Sequence, residues 1–335
     1  MRKLDIFNHI WPKAFHARLE QVSPIRGITK RSNDVPMMVD LDERFRVMDM
    51  FDGYQQVLSL ASPPLEFMAP PPVAADLAKL GNDGMAELCE RYPDRFPAFT
   101  ASLPMNDMDA TMKETQRAID ELGAAGVQIF TNVNGKPLDA PEFRPLFELM
   151  SKYDKPIWVH PARGPKHTDY LTEQESQYEI WWTFGWPYET SAFMARLVFS
   201  KIMDQFPNLK IITHHAGGMA PFFEGRVGPG WDQLGARTSS VDYKPLLKEL
   251  KRRPIDYFRD FYADTATFGS KPALECALAF FGIDHMLFSS DAPFDPERGP
   301  MYIRETIACI DGMDLSDDDR HKLYHGNTER LLGLA

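Results

Sequence analysis

The chain of 335 residues is long enough for one large α/β domain with insertions, so its length does not require a second domain. Its net charge of −11, with acidic and basic side chains mixed along the sequence, argues against the basic surface that nucleic-acid binding requires. No apolar run approaches the ~20 residues of a membrane span, and three widely spaced cysteines without a CxxC pair indicate reduced thiols in a cytoplasmic protein.

Eight short runs rich in Val, Ile, Leu and Phe predict the strands of a parallel sheet. They lie at 4–10, 55–61, 97–103, 126–131, 156–160, 209–215, 261–265 and 285–291. Apolar residues at three- and four-residue spacing predict helices at 42–52, 75–92, 109–124, 142–153, 189–206, 244–258, 271–282 and 300–311. This alternation predicts a single α/β domain over 1–335, a (β/α)8 TIM barrel. An open doubly wound sheet is the alternative, but no GxGxxG follows the first strand.

Two connections are too long for simple turns, and both follow the carboxyl end of a strand. These insertions, at about 11–40 and 161–188, are therefore expected over the C-terminal face of the barrel, where barrel enzymes keep their chemistry. The second insertion carries Trp181, Trp182, Phe184, Trp186 and Tyr188 within eight residues. These rings form either a packed lid helix or a wall that stacks on a flat substrate, and Trp182 and Trp186 are the candidate substrate contacts.

Polar residues that can bind a metal stand at the ends of four predicted strands. His9 closes the first, His160 the fifth and Asp291 the eighth, while His214 and His215 end the sixth. Strand alternation sends the side chains of His214 and His215 to opposite sides, so only one of them is expected to face the barrel axis. A structural histidine at 160 and a helix N-cap at 291 are the non-functional alternatives.

The motifs around these residues resemble the amidohydrolase-related family, and within it the aminocarboxymuconate-semialdehyde decarboxylase branch. The resemblance rests on the order and spacing of His9-Ile10-Trp11-Pro12, Val159-His160-Pro161, His215-Ala216-Gly217-Gly218-Met219-Ala220-Pro221, Ser290-Asp291-Ala292-Pro293 and the closing His325-Gly326-Asn327-Thr328-Glu329-Arg330-Leu331-Leu332. It spans nearly the whole chain. It implies a distorted (β/α)8 barrel that holds one divalent metal ion at the carboxyl ends of its strands.

Carried over residue by residue, the resemblance makes His9, His160 and Asp291 the metal ligands. The first histidine of the family's HxH motif is replaced by Phe7, which has no lone pair to offer a cation. Two imidazoles and a carboxylate still suit zinc, which we favour, and would tolerate manganese. The missing ligand leaves metal occupancy open.

The same resemblance makes His215 the acid/base residue that faces the reacting atom, assisted by Asp291. His214 is then expected to point toward the surrounding helices, where it would serve folding rather than chemistry.

A carboxylate substrate requires a cation, and arginine binds it in a bidentate manner. Arg226 lies eleven residues after His215, the spacing at which the decarboxylase branch has an arginine that reaches the neighbouring subunit's site. A homodimer with the segment 220–231 at its interface is therefore expected. Arg46 and Arg163 are weaker candidates. Asp264, at the end of the seventh strand, either supports a ligand through a hydrogen bond or caps the next helix.

The function predicted from these residues is non-oxidative decarboxylation of an aromatic or conjugated carboxylic acid, a carboxy-lyase reaction. The first alternative is a metal-dependent hydrolase of a lactone, amide or ester, or a hydratase, because these reactions use the same cation and proton shuttle. The second is a barrel with a degenerate metal site that only binds a ligand. The expected partner is a small carboxylic acid, with no role for nucleic acid or a membrane.

Overall fold

The computed structural model describes residues 1–25 and 30–334, and it contains a barrel of eight parallel strands in chain order. The strands are β1 (Lys3–Ile10), β2 (Tyr54–Leu60), β3 (Ala98–Ser102), β4 (Gly126–Phe130), β5 (Ile157–His160), β6 (Ile211–Thr213), β7 (Tyr262–Asp264) and β8 (Met286–Leu287). The barrel closes just beyond β8, where the Ile6 amide donates to the Phe288 carbonyl at 2.9 Å. The predicted (β/α)8 barrel is confirmed, with strands that are mostly shorter than the apolar runs.

Helices cover the outside of the barrel in the predicted intervals. They are α1 (Leu41–Met48), α2 (Pro71–Arg91), α3 (Met108–Asp120), α4 (Arg144–Tyr153), α5 (Gly185–Phe199), α6 (Pro254–Phe258), α7 (Lys271–Phe281) and α8 (Pro300–Asp311). Asp40 caps α1 by accepting from the amides of Asp42 and Glu43, and prolines begin α2, α6 and α8 because their missing N–H costs nothing there. Among the described residues, no helix is both long and apolar enough to cross a lipid bilayer.

Short elements fill the connections. They are helices at Lys13–Val22, Lys30–Asn33, Leu65–Met68, Ile180–Thr183, Ile202–Gln205, Lys244–Glu249, Asp317–His321 and Asn327–Leu332, and a hairpin that pairs Asn132–Val133 with Lys136–Pro137. The predicted helix at 189–206 thus breaks after Phe199, and the one at 244–258 breaks before Pro254.

Both long insertions follow carboxyl ends of barrel strands, as expected. The first runs from β1 through Lys13–Val22 to a 3-10 turn at Pro36–Met38, where the Met38 carbonyl accepts from the Trp11 amide at 2.8 Å. Residues 26–29 of this insertion, including Gly27, lie outside the described residues. The second insertion is largely irregular until Ile180–Thr183 and leads into α5.

The barrel interior is filled by apolar side chains from the strands, including Leu4, Ile6, Phe7, Trp158 and Ile212. The register of β1 against β2 shifts between Asp5 and Asn8, which is a β-bulge. Ile6 and Phe7 therefore both pack into the interior although they are consecutive. The bulge decides that Phe7 and His9 face the site.

Candidate metal and acid/base centre

Five polar side chains converge at the carboxyl ends of β1, β5, β6 and β8. The ligand atoms of His9, His160 and His214 lie within 4.8 Å of one another, and so do those of His214, His215 and Asp291. All are buried except His215, which is partly exposed. The structure therefore brings the predicted ligands and the predicted acid/base residue into one cluster, with His214 added to them.

Asp291 is the hub of this cluster. Its Oδ1 lies 3.0 Å from His9 Nε2 and 3.1 Å from His214 Nε2, and its Oδ2 lies 3.4 Å from His215 Nε2. The backbone of Asp291 is left-handed, with φ of 63°, a strained conformation that is common at functional sites. The helix N-cap alternative for Asp291 is not what the structure shows, because its carboxylate faces three histidines.

The outer nitrogen of each inner histidine has its own partner. His160 Nδ1 donates to the Pro161 carbonyl at 2.8 Å, and His9 Nδ1 donates to Ser59 Oγ at 3.4 Å. His214 Nδ1 pairs with Asp264 Oδ2. In His9 and His160, a proton on Nδ1 leaves the Nε2 lone pair directed at the centre, which is the tautomer of a metal-binding histidine. His215 differs, since its Nδ1 is buried without a hydrogen-bond partner.

The pKa values of the cluster are set by burial and by the attraction between imidazoles and carboxylates. Burial lowers the pKa of His160 well below its ordinary value, and the neighbouring histidines act in the same direction. Burial by itself would lower the pKa of His214, but Asp264 and Asp291 outweigh it and raise this pKa to about 10. Burial by itself would raise the pKa of Asp291, but the histidines, His214 foremost, hold it well below the usual value. Asp291 is therefore a carboxylate throughout the physiological range.

The prediction that His214 faces the surrounding helices is wrong. Its ring centroid lies only 3.9 Å from that of His215, so both imidazoles point into the site. The alternation rule failed because β6 ends at Thr213 and the chain then turns through left-handed conformations, with φ of 56° at His215 and 54° at Ala216. Asp264 holds this turn, since its Oδ1 accepts from the Ala216 amide at 3.0 Å. Asp264 thus supports His214 rather than capping a helix.

Phe7 occupies the position where the family motif has a ligand. Its ring stacks on His214, with centroids 3.9 Å apart and 18° between the ring planes, and it lies 6.0 Å from the ring of His160. It is fully buried and contributes an apolar wall, not a donor atom.

Of the aromatic residues of the second insertion, Trp186 is the one that contacts the site. The ring of Trp186 lies 5.2 Å from His160 and 6.0 Å from His215, nearly parallel to the latter, and its Nε1 donates to the Arg163 carbonyl at 3.1 Å. The ring of Trp182 packs against that of Trp186, with ring centroids 6.2 Å apart. Of the two alternatives, a packed lid helix or a wall that stacks on a flat substrate, the wall describes Trp186, and Trp182 supports the Trp186 ring. Phe268, 5.8 Å from His215, is a neighbour that the sequence analysis did not identify.

The three candidate arginines have different surroundings. Arg163 lies beside Trp186 and pairs with Glu189 at 3.2 Å, while its buried Nε has no partner. Arg46 is exposed and pairs with Glu43 at 2.7 Å, so the structure does not bring it to the site. Arg226 is exposed, with its guanidinium 5.7 Å from the centre of the Phe223 ring.

Arg44, two residues before Arg46, was missed and is completely buried. It donates to the Met37 carbonyl at 3.1 Å, to Gln56 Oε1 at 2.6 Å and to the carbonyl of His9. This arginine ties the backbone of His9 to α1 and β2. The only sequence signal was its place in the helical pattern of 42–52, which does not tell which of two arginines is buried.

These side chains fit a divalent metal ion. Three imidazoles with outward Nδ1–H groups face a common centre, and an ionised carboxylate, Asp291, adjoins two of them. Imidazoles with a carboxylate are the donor chemistry of zinc and manganese sites. The support of His214 by a buried carboxylate is also typical of metal-binding histidines.

Comparisons with known proteins show the family of this chain. The family described as Amidohydrolase matches residues 5–334. A gamma-resorcylate decarboxylase of Rhodococcus jostii (strain RHA1) is 30% identical over 304 residues, which cover 88% of this chain and 87% of the relative. A 2-amino-3-carboxymuconate-6-semialdehyde decarboxylase of Dictyostelium discoideum is 30% identical over 296 residues, 88% of this chain and 77% of the relative. Among solved structures, a dihydroxybenzoic acid decarboxylase from Polaromonas sp. JS666, with bound manganese and the inhibitor 2-nitroresorcinol, superimposes with a TM-score of 0.80 at 26% identity, covering 99% of this chain and 97% of that one.

Proposed function

Because this chain belongs to the amidohydrolase family, we propose that it is a metal-dependent decarboxylase that releases CO2 from an aromatic carboxylic acid without an oxidant. The observation that carries the proposal is the Asp291 cluster, in which histidine donors and a separate acid/base histidine lie together beside the ring of Trp186. The two relatives described above are both named as decarboxylases.

His9, His160 and Asp291 would hold the metal, as the family motifs indicate. When bound, the ion supplies a positive charge that orients the acid and stabilises negative charge developing on it. Zinc remains our preferred ion for an imidazole-rich set, and the manganese in the solved relative makes manganese the first alternative to load.

His215 would deliver the proton that replaces CO2. The ring carbon that carries the carboxylate accepts this proton, the bond to the carboxylate breaks, and its electron pair returns to the ring as CO2 leaves. His215 then regains a proton from solvent. Burial lowers the pKa of His215, and Asp291 Oδ2, 3.4 Å from its Nε2, is placed to stabilise the protonated ring.

Substrate binding would use the aromatic wall and Arg163. The face of Trp186 suits stacking with a flat aromatic acid, and the ring of Trp182 packs against Trp186. The Arg163 carbonyl accepts from Trp186 Nε1, so Arg163 lies beside that wall, and its guanidinium would supply the cation that a carboxylic acid requires. The aromatic rings packed at the site would exclude water, which favours loss of CO2 over hydrolysis.

The proposal includes a homodimer. Phe222 is 79% exposed and lies four residues before the exposed Arg226, so this segment offers an apolar side chain and a cation to a partner. In the dimer Arg226 would lie near the partner's pocket and bind the substrate carboxylate. The three cysteines are free thiols, which supports a cytoplasmic location.

The test is turnover of 2,6-dihydroxybenzoate and related hydroxybenzoates by metal-loaded protein, measured as CO2 release in heavy water. The expected product carries one deuterium at the carbon that lost CO2. Lactones and esters are assayed in ¹⁸O-labelled water alongside. Labelled oxygen in a product without CO2 release would replace the decarboxylase proposal by the hydrolase alternative, and no turnover in either assay would favour a binding protein.

A further inference from the structure

The geometry points to His214 as a metal ligand that takes the place of the ligand lost at position 7. This inference deepens the proposed function and rests on its use of a metal. It adds a fourth protein ligand, from the turn that follows β6, to the set of His9, His160 and Asp291.

His214 lies where the missing ligand would be. The ring of His214 lies flat against Phe7, with centroids 3.9 Å apart, so it fills the space next to the side chain that no longer offers a donor. Its ligand atom lies within 4.8 Å of those of His9 and His160. A single ion can therefore contact all three imidazoles after small movements of the side chains.

The imidazole of His214 is also oriented toward the other ligands. His214 Nε2 lies 3.1 Å from Asp291 Oδ1, the same oxygen that lies 3.0 Å from His9 Nε2. His9 Nε2, His214 Nε2 and Asp291 Oδ1 therefore face one point. The opposite nitrogen of His214 is held by Asp264, so the ring cannot turn its Nε2 away without breaking that bond.

A buried carboxylate, Asp264, supports the outer side of the His214 ring. Asp264 is fully buried, and its second oxygen accepts from the amides of Ala216 at 3.0 Å and Ala266 at 3.2 Å. A carboxylate fixed by two backbone amides and bonded to the outer nitrogen of a histidine is the arrangement that orients metal-binding histidines. The left-handed turn at 215 and 216 is what directs His214 inward.

The alternative is that His214 stays a protonated imidazole between two carboxylates and never contacts the ion. The two cases differ in metal affinity and in where the ion sits. Both can be measured without an activity assay.

The experiment compares Mn²⁺ affinity of the full chain and its variants by competition with a chelator, with metal content by mass spectrometry. His214→Ala should weaken Mn²⁺ binding by more than the roughly 10- to 100-fold expected for loss of an outer partner, which is the effect expected for Asp264→Asn. His215→Ala should stay within about threefold of wild type, because that ring is not needed for the ion in either case.

A ligand transplant makes the test independent of a general loss of packing. Phe7→His combined with His214→Ala should recover most of the Mn²⁺ affinity, whereas the matched control Phe7→Leu with His214→Ala should not. In crystals of Mn²⁺-loaded wild type, the anomalous peak should lie about 2.0–2.3 Å from His214 Nε2.

Wild-type affinity in His214→Ala, or an anomalous peak contacting only His9, His160 and Asp291, would overturn this inference and leave the decarboxylase proposal intact. If His214→Ala does not fold, the position of the anomalous peak in wild type decides alone. Absence of any bound Mn²⁺ or Zn²⁺ in wild-type protein that still decarboxylates would overturn both the inference and the metal dependence.

Discussion

The replacement of His215 by asparagine should separate chemistry from stability. The imidazole makes one hydrogen bond, to Asp291 at 3.4 Å, near the outer limit for such a bond, and its Nδ1 has no partner. The free energy of unfolding should therefore fall by only about 1 kcal/mol, a small part of the roughly 5–15 kcal/mol of a typical domain. Loss of the proton donor should lower kcat by about 10²-fold or more, which corresponds to about 2.7 kcal/mol of transition-state stabilisation.

The assay follows the disappearance of the aromatic acid by its absorbance, with CO2 release as a second readout and with metal content and Tm measured on the same protein. His215→Asn should keep the metal and most of its thermal stability while kcat falls and KM changes little. A kcat within threefold of wild type would remove His215 from its role. Metal loss parallel to the loss of kcat would instead make His215 a ligand.

Four further results are expected. His160→Ala should lower metal content and activity together, and full metal occupancy with full turnover in that variant would contradict its assignment as a ligand. Arg44→Met should lower the free energy of unfolding by about 2–4 kcal/mol in chemical denaturation, because it leaves the buried His9 carbonyl and other acceptors unpaired; a loss under 1 kcal/mol would refute this. Arg226→Ala should raise KM for the acid without metal loss, and light scattering should show that the wild type is a dimer at micromolar concentration. A monomeric wild type whose activity is independent of dilution would refute a site completed by Arg226 of the partner subunit. Burial raises the pKa of Glu66 to about 8, so the contribution of Glu66 to stability falls as pH rises from about 4.5 to about 8. The Tm of Glu66→Gln relative to that of wild type should therefore rise through this pH range, and a constant difference between the two Tm values would refute the raised pKa.

Much of the fold followed from the sequence because its determinants are local. Apolar runs of strand length alternate with helical periodicity, and this pattern alone gave eight strands in positions close to those observed. The ends of the strands are marked by polar residues, so His9, His160 and Asp291 could be identified as neighbours before any coordinates were known. Both insertions lie over the carboxyl ends because a parallel barrel places every such connection there.

The sequence by itself therefore determined the barrel, the strand ends that form the site and the absence of a ligand side chain at Phe7. Only the tertiary structure decided which way His214 points, because the alternation of a strand ends at Thr213 and the left-handed turn that follows depends on the distant carboxylate of Asp264. It also decided that Arg44 rather than Arg46 is buried, since the two share a helix and differ only in which face meets β1 and β2. Contacts between residues far apart in the chain determine both the orientation of His214 and the burial of Arg44. Such contacts cannot be inferred from residue type and local spacing.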